Sequence, residues 1–297
     1  MNSPISKYLK LHFIIFIWGF TAVLGALIHL DYLSLTWYRM GLAVFFLFLY
    51  ILFNRELKKH LFSLDIKAHL RYALGGTIIA LHWLAFFYAI KISNVSITLV
   101  TLSTGAFFTS ILEPIFFKRK IFWYEVILGI LILGGFLVLV RVEEIKLAGV
   151  FFALIAAFLS GLFSVINGIF IKNEQGSILS LFQLFYGFLF LTIVLMIKGR
   201  LFNLPAPTPM DWLWLIILAS ICTAYAFTVS ISLMKYLSPF TVMISINLEP
   251  VYGIILAVIF LGNQEKMSTT FYSGAFIILI IIMLNAYVKY FNKKAVK

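Results

Sequence analysis

Stretches of about 20 apolar residues recur along this chain with short polar intervals between them, and each can carry a helix across a hydrocarbon core of roughly 30 Å. Ten such stretches lie at 10–28, 35–53, 71–90, 95–116, 121–140, 148–171, 178–197, 211–234, 238–260 and 269–289. Inside lipid every backbone N–H and C=O must find its partner within the protein, so the pattern restricts the chain to an all-α polytopic membrane fold. Composition agrees: of 297 residues 63% are hydrophobic and only 11% charged, with a mean hydropathy of +1.07, a balance foreign to soluble domains. The first stretch is interrupted by Trp18-Gly19 and lacks a small-residue cleavage site, so it reads as a retained helix rather than a signal peptide.

The net charge of +12 does not indicate nucleic acid, because the basic residues stand singly or in short runs between apolar blocks instead of forming one stripe. They fit topology signals. With the N-terminus inside, Lys91, Arg141, Lys146, Lys198, Arg200 and Lys266 face outward, Arg39 lies within the second stretch, and the other 16 of the 23 Lys and Arg face inward. That bias predicts two cytoplasmic termini, as an even number of spans requires. Residues 54–70 read as a charged loop and Leu204–Pro209 as a stiff proline-rich turn. The lone Cys222 excludes a disulfide framework or a thiolate metal site.

The chain also resembles itself. A shift of 145 sets Pro250-Val251-Tyr252 over Gly105-Ala106-Phe107, and a shift of 142 sets Gly161 over Gly19. This divides the chain at 1–145 and 146–297 into two five-helix repeats. Five is odd, so the second copy enters the membrane from the other side, giving an inverted-topology repeat of the kind that supports alternating access.

Trp18-Gly19, Arg39, Asn247-Leu248-Glu249-Pro250, Phe260–Glu265 and Gly274 together resemble the EamA-type branch of the drug/metabolite transporter superfamily, across essentially the whole chain in two copies. The resemblance implies a ten-helix carrier of the bacterial inner membrane, often an exporter of amino acids or other small metabolites, with a central cavity between the halves. The first half departs from the pattern: Gly105 stands where the second half has Pro250, and Lys120 where it has Glu265.

An ionisable group at mid-bilayer depth costs several kcal/mol unless something pairs or uses it. At 1.5 Å per residue, Glu249 and His82 each lie about 17 Å from the cytoplasmic ends of their spans, near the midplane. Facing one cavity, they would bind a proton or a substrate amine; facing apart, each would hold an interhelical hydrogen bond. Pro250 removes a backbone donor and leaves the carbonyl near Ile246 open, and Gly105 loosens the matching turn of the first half. Asn247 points to a neighbouring face and reads as a helix contact.

Arg39 lies about one turn inside the external end of its span, where snorkelling to the interface is the simpler reading and attraction of an anionic group the other. Its repeat partner is Gln183. Among the aromatic residues, Trp18 and Tyr252 rank highest as cavity lining, because they adjoin Gly19 and Pro250. Glu113, just before Lys118-Arg119-Lys120, reads as an ion-pair partner of those bases. Two stripes at 148–171 (Ala153, Ala157, Gly161 and Ser160, Ser164, Gly168) allow close helix approach, within a monomer or between two copies of a homodimer.

No His-Glu-x-x-His helix, phosphate-cradling Gly-Lys-Ser/Thr loop or Ser/His/Asp set occurs, so nothing asks for a metal, a cofactor or ATP. The leading reading is a secondary transporter, not an enzyme, that binds a small molecule between its halves with possible proton coupling. An integral membrane enzyme acting on a lipid or isoprenoid would need acids or histidines clustered at one face, and a channel-like facilitator would show polar stripes along a pore.

Overall fold

The computed structural model describes residues 4–61, 64–118 and 146–277, with isolated positions at 120, 127, 130, 280, 281 and 284. Among the described residues all regular structure is helical, and eight helices are long and apolar enough to cross a membrane. The expected span at 121–140 lies outside the described residues, as does that at 269–289 beyond residue 277.

The helices are α1 (Pro4–Leu27), α2 (Tyr32–Phe53), the short α3 (Arg55–His60), α4 (Ile66–Ile92), α5 (Val95–Leu102) and α6 (Gly105–Phe116). The second half contributes α7 (Leu147–Phe170), α8 (Gly176–Ile197), α9 (Pro209–Ala219), α10 (Ala226–Leu233), α11 (Pro239–Ile246) and α12 (Glu249–Leu261). Caps written in the sequence set many of the starts. Asn54, Asp65 and Asn94 each accept a backbone N–H of the first turn they precede, and Thr208 forms a capping box with Asp211 ahead of Pro209. Residues 54–70 are therefore not a loop throughout: α3 occupies their first part and α4 begins at Ile66, earlier than apolarity alone indicates, because the Asp65 cap carries the helix into polar sequence.

Both halves break one helix at matching places. α5 ends at Leu102 and α6 begins at Gly105; α11 ends at Ile246 and α12 begins at Glu249. In each break the chain tightens to three-residue hydrogen bonds, Thr104 N to Thr101 O and Leu248 N to Ser245 O, both 3.0 Å. Glycine thus does in the first half what proline does in the second. The broken helices also cap one another. Glu113, from α6, accepts the Phe240 N–H at the start of α11 at 2.8 Å, and Glu265, beyond α12, accepts the Val95 and Ser96 N–H groups at the start of α5 at 2.9 and 3.0 Å. Glu113 accordingly has a helix terminus as a partner, beyond the base run with which the sequence pairs it.

The halves interlock rather than sit side by side: α4 packs on α7 and α8, α1 on α12, and α6 on α7. Matched glycines make the closest approaches. A Cβ at Gly19 would lie 2.7 Å from Tyr252 Cβ and 3.2 Å from Gly253 N, and one at Gly161 would lie 2.8 Å from Thr109 Oγ1 and 3.2 Å from Gly105 O. Each glycine of one half thus admits the broken helix of the other. The small stripes of α7 are used within this chain, since Gly168 similarly meets Pro239 and Ser164 meets Met243.

At one end of the bundle Asp31 accepts from Leu33 N, from Ser34 Oγ at 2.7 Å and from Arg200 Nη2 at 2.8 Å, while Asp211 accepts from His29 N at 2.9 Å. At the other end Arg71 pairs with Glu174 at 3.6 Å and Tyr186 Oη meets His69 Nδ1 at 2.9 Å. Burial by itself would raise the Asp31 carboxyl, but the Ser34 hydroxyl and N–H and the Arg200 guanidinium together hold it below the ordinary aspartate value of 3.8. A carboxyl depressed in the fold stabilises at pH above its unfolded value, and that contribution drains away as pH falls through the lowered one.

Two outcomes follow from this packing. Gly19→Ala and Gly161→Ala should each lose about 1–3 kcal/mol through overpacking, read as earlier thermal unfolding in detergent. Asp31→Ala should cost about 1 kcal/mol as a lost cap at neutral pH, with the difference from the parent shrinking below pH 3.8.

Candidate functional site

Between the halves lies a cavity of about 80 Å³. Its wall includes Trp18, Arg39, His82 and Glu249, which come from α1, α2, α4 and α12, together with Leu102 and Ile246 from the two helix breaks. The space has room for only a few waters and falls below the roughly 300 Å³ of ordinary small-molecule pockets.

Arg39 does not snorkel. It is 1% exposed, its Nε donates to Thr223 Oγ1 at 2.7 Å, and its guanidinium lies 3.9 Å from the centre of the Trp83 ring. Simple depth counting misses this because the partners belong to other helices, one of them in the other half. Nη1 is buried without a hydrogen-bond partner among the described residues. Opposite stands Glu249, 6% exposed, whose carboxylate makes no hydrogen bond among the described residues. No ion pair joins the two side chains there. A buried guanidinium and a buried carboxylate that leave each other unpaired are costly, and water or a ligand of matching charge relieves the cost.

Thr223 reaches Arg39 because the chain between α9 and α10 winds as a π-helix over Ser220–Tyr225. Thr223 Oγ1 donates five residues back to Leu218 O at 2.7 Å and offers its lone pair to Arg39. In the same turn the Ala226 N–H bonds Ile221 O, one residue further back than in an α-helix, and the Cys222 carbonyl instead accepts Trp18 Nε1–H at 3.0 Å. His82 Nδ1 sits 2.8 Å from Ala156 O; a carbonyl can only accept, so Nδ1 carries the proton and Nε2 holds the lone pair of the neutral ring. Three polar side chains of the first half, Trp18, Arg39 and His82, thus each bridge to the second half around one cavity.

Tyr252 is not among the lining residues: its ring stands edge-on to Phe16 at 5.4 Å, and its Cβ covers Gly19. Gln183 is buried in the bundle, donating to Asn167 Oδ1 at 2.9 Å, and Asn247 is buried, its Nδ2 without a hydrogen-bond partner among the described residues. Ser160 and Ser164, which the sequence offers as helix-packing residues, also line the space, as do Thr21, Ser230 and Met243, to which the sequence gives no role. The run of small polar residues at Ser220–Thr223, inside an apolar helix, was the available signal for the π turn.

The sequence matches the EamA-like transporter family over residues 7–141 and again over 147–287. The chain belongs to this family, and with it to the drug/metabolite transporter superfamily. Among curated proteins none matches the sequence. A solved structure described only as the crystal structure of a protein shares the fold, with a TM-score of 0.68 at 15% identity, over 96% of this chain and 98% of that one. As an EamA-like protein the chain is a multi-pass membrane transporter, and its central cavity is the place where the two family repeats meet.

Removing the acceptor of Arg39 Nε should be costly. Thr223→Val is expected to destabilise by about 1–3 kcal/mol in thermal unfolding, with Thr223→Ser close to the parent because it keeps the hydroxyl.

Proposed function

We propose that this EamA-like protein is a secondary transporter that exports a small zwitterionic metabolite of the amino-acid class by alternating access. The observation that carries the reading is the buried, mutually unpaired charge pair at the centre, Arg39 from the first half and Glu249 from the second. A carboxylate of the substrate would meet Arg39 Nη1, and its ammonium group, or a proton in its absence, would meet Glu249. Trp18 shapes the wall, and the His82 Nε2 lone pair is a second acceptor. Pro250 and Gly105 set the two breaks at which the gating helices bend.

In this account the protein has ten spans in two five-helix repeats of inverted topology, with both termini on the cytoplasmic side of the bacterial inner membrane. The small cavity widens as the halves rock. Contacts that cross between halves lie at both ends, Asp31–Arg200 and His29–Asp211 at one and Arg71–Glu174 at the other, and each end opens in turn by breaking its own set.

Proteoliposomes containing only this protein test the reading. The parent is expected to show saturable counterflow of an amino acid found by screening resistance to excess amino acids and their toxic analogues. Glu249→Gln should lower flux at least tenfold and abolish its pH dependence, and Arg39→Lys, which lacks the planar fork, should raise KM. Parental flux and pH response in Glu249→Gln would remove the carboxylate from the cycle.

A further inference from the structure

Beside the central cavity lies a larger cleft of about 700 Å³ on the flank of the bundle, walled by the first turns of α1, the C-terminal half of α2, and the π turn with α10. Its wall is mainly apolar, and two of its hydroxyls are turned into their own helix. Ser220 Oγ donates to Ile216 O at 2.6 Å and Ser232 Oγ donates to Thr228 O at 2.7 Å, whereas Thr228 Oγ1 is buried with no hydrogen-bond partner among the described residues. The two hydroxyls bonded back leave hydrocarbon facing the cleft, which suits an alkyl chain. From Ser220 to Ser232 the wall rises about 18 Å at ~1.5 Å per residue, close to the depth of one leaflet.

Only one end of the cleft carries charge. Lys7 Nζ lies 3.8 Å from the centre of the Tyr236 ring, Lys10 is exposed about one turn further along α1, and both line the mouth with Tyr50. Tyr50 and Tyr236 are exposed, as aromatic residues at headgroup level are. No acidic residue is among the residues that line the cleft, so the two ammonium groups face it uncompensated. We propose that this cleft is a binding site for one anionic phospholipid, its phosphate at Lys7 and Lys10 and an acyl chain along the α10 wall. Apolar depth of one leaflet with positive charge confined to the headgroup end is the complement of such a lipid. The site abuts the transport centre, because the π turn that offers Ser220, Ala224 and Tyr225 to the cleft also offers Thr223 to Arg39 and the Cys222 carbonyl to Trp18. A bound acyl chain therefore supports the wall that orients Arg39.

The full-length protein in detergent, probed with phosphatidylglycerol, phosphatidylcholine and glycerol phosphate, tests this by native mass spectrometry. Phosphatidylglycerol should be retained in preference to phosphatidylcholine, and Lys7→Gln and Lys10→Gln should each weaken it about fivefold. Val229→Trp fills the cleft without changing charge and should weaken retention comparably, with Ser220→Leu as a second filling variant if the first unfolds early. Lys58→Gln with Lys59→Gln, on exposed α3, should leave it unchanged. Equal retention of both lipids, parental retention in both filling variants, or an equal loss in the α3 variant would overturn the site in favour of diffuse surface charge. Competition by glycerol phosphate alone would overturn it in favour of a free-phosphate site.

Discussion

The interior is organised around a guanidinium buried without a carboxylate partner. Arg39 is 1% exposed and is held by a hydroxyl, Thr223 Oγ1, and by the face of Trp83. Lone buried charges cost several kcal/mol, so the surroundings have to over-determine the position. The π turn supplies the hydroxyl, α4 supplies the ring, and Glu249 lines the same cavity without an ion pair to Arg39. Had Glu249 closed on Arg39 as an ion pair, the centre would be a static strut. Left open, it is the feature on which the proposed binding of a zwitterion rests.

The breaks that carry Glu249 and Thr104-Gly105 into the middle of the bundle would leave exposed helix ends in a low-dielectric interior. The opposite ends of the broken helices are tied by Glu113 and Glu265, each of which accepts backbone N–H groups from the other half. A negative carboxylate at a helix N-terminus is favourable both as hydrogen-bond acceptor and against the macrodipole. Each half thus anchors the start of the other's broken helix while its middle stays free to bend, and paired glycines at 19 and 161 let the backbones approach closely enough for this to work.

Much of this was legible in the sequence because it follows from single-chain periodicities. The spans follow from apolar length, the two copies from internal similarity, and the break near Pro250 from the missing amide donor. What escaped depends on neighbours in space. Arg39 reads as a snorkelling residue when depth alone is counted, since nothing local announces Thr223 or Trp83. Tyr252 reads as lining because it follows Pro250, but its Cβ packs onto Gly19 and its ring onto Phe16. Lys120, standing where Glu265 is expected, reads as a lost feature, yet Glu113, seven residues earlier, performs the capping from a different position. The π turn changes hydrogen-bond register, and its only trace in the sequence is the small residues Ser220, Cys222 and Thr223, too slight a change for apolar counting to register.

In the proposed cycle one central site is presented to each side of the membrane in turn. Thiol accessibility tests it most directly: in a Cys222→Ser background, a Ser230→Cys variant places a thiol on the cavity wall, where the native serine is 4% exposed. In sealed vesicles of defined orientation, an impermeant maleimide should modify it from either face. The rate from one face should fall as the other rises when a transported amino acid is loaded on one side. Modification from one face only, or rates from both faces that rise together, would contradict alternating access.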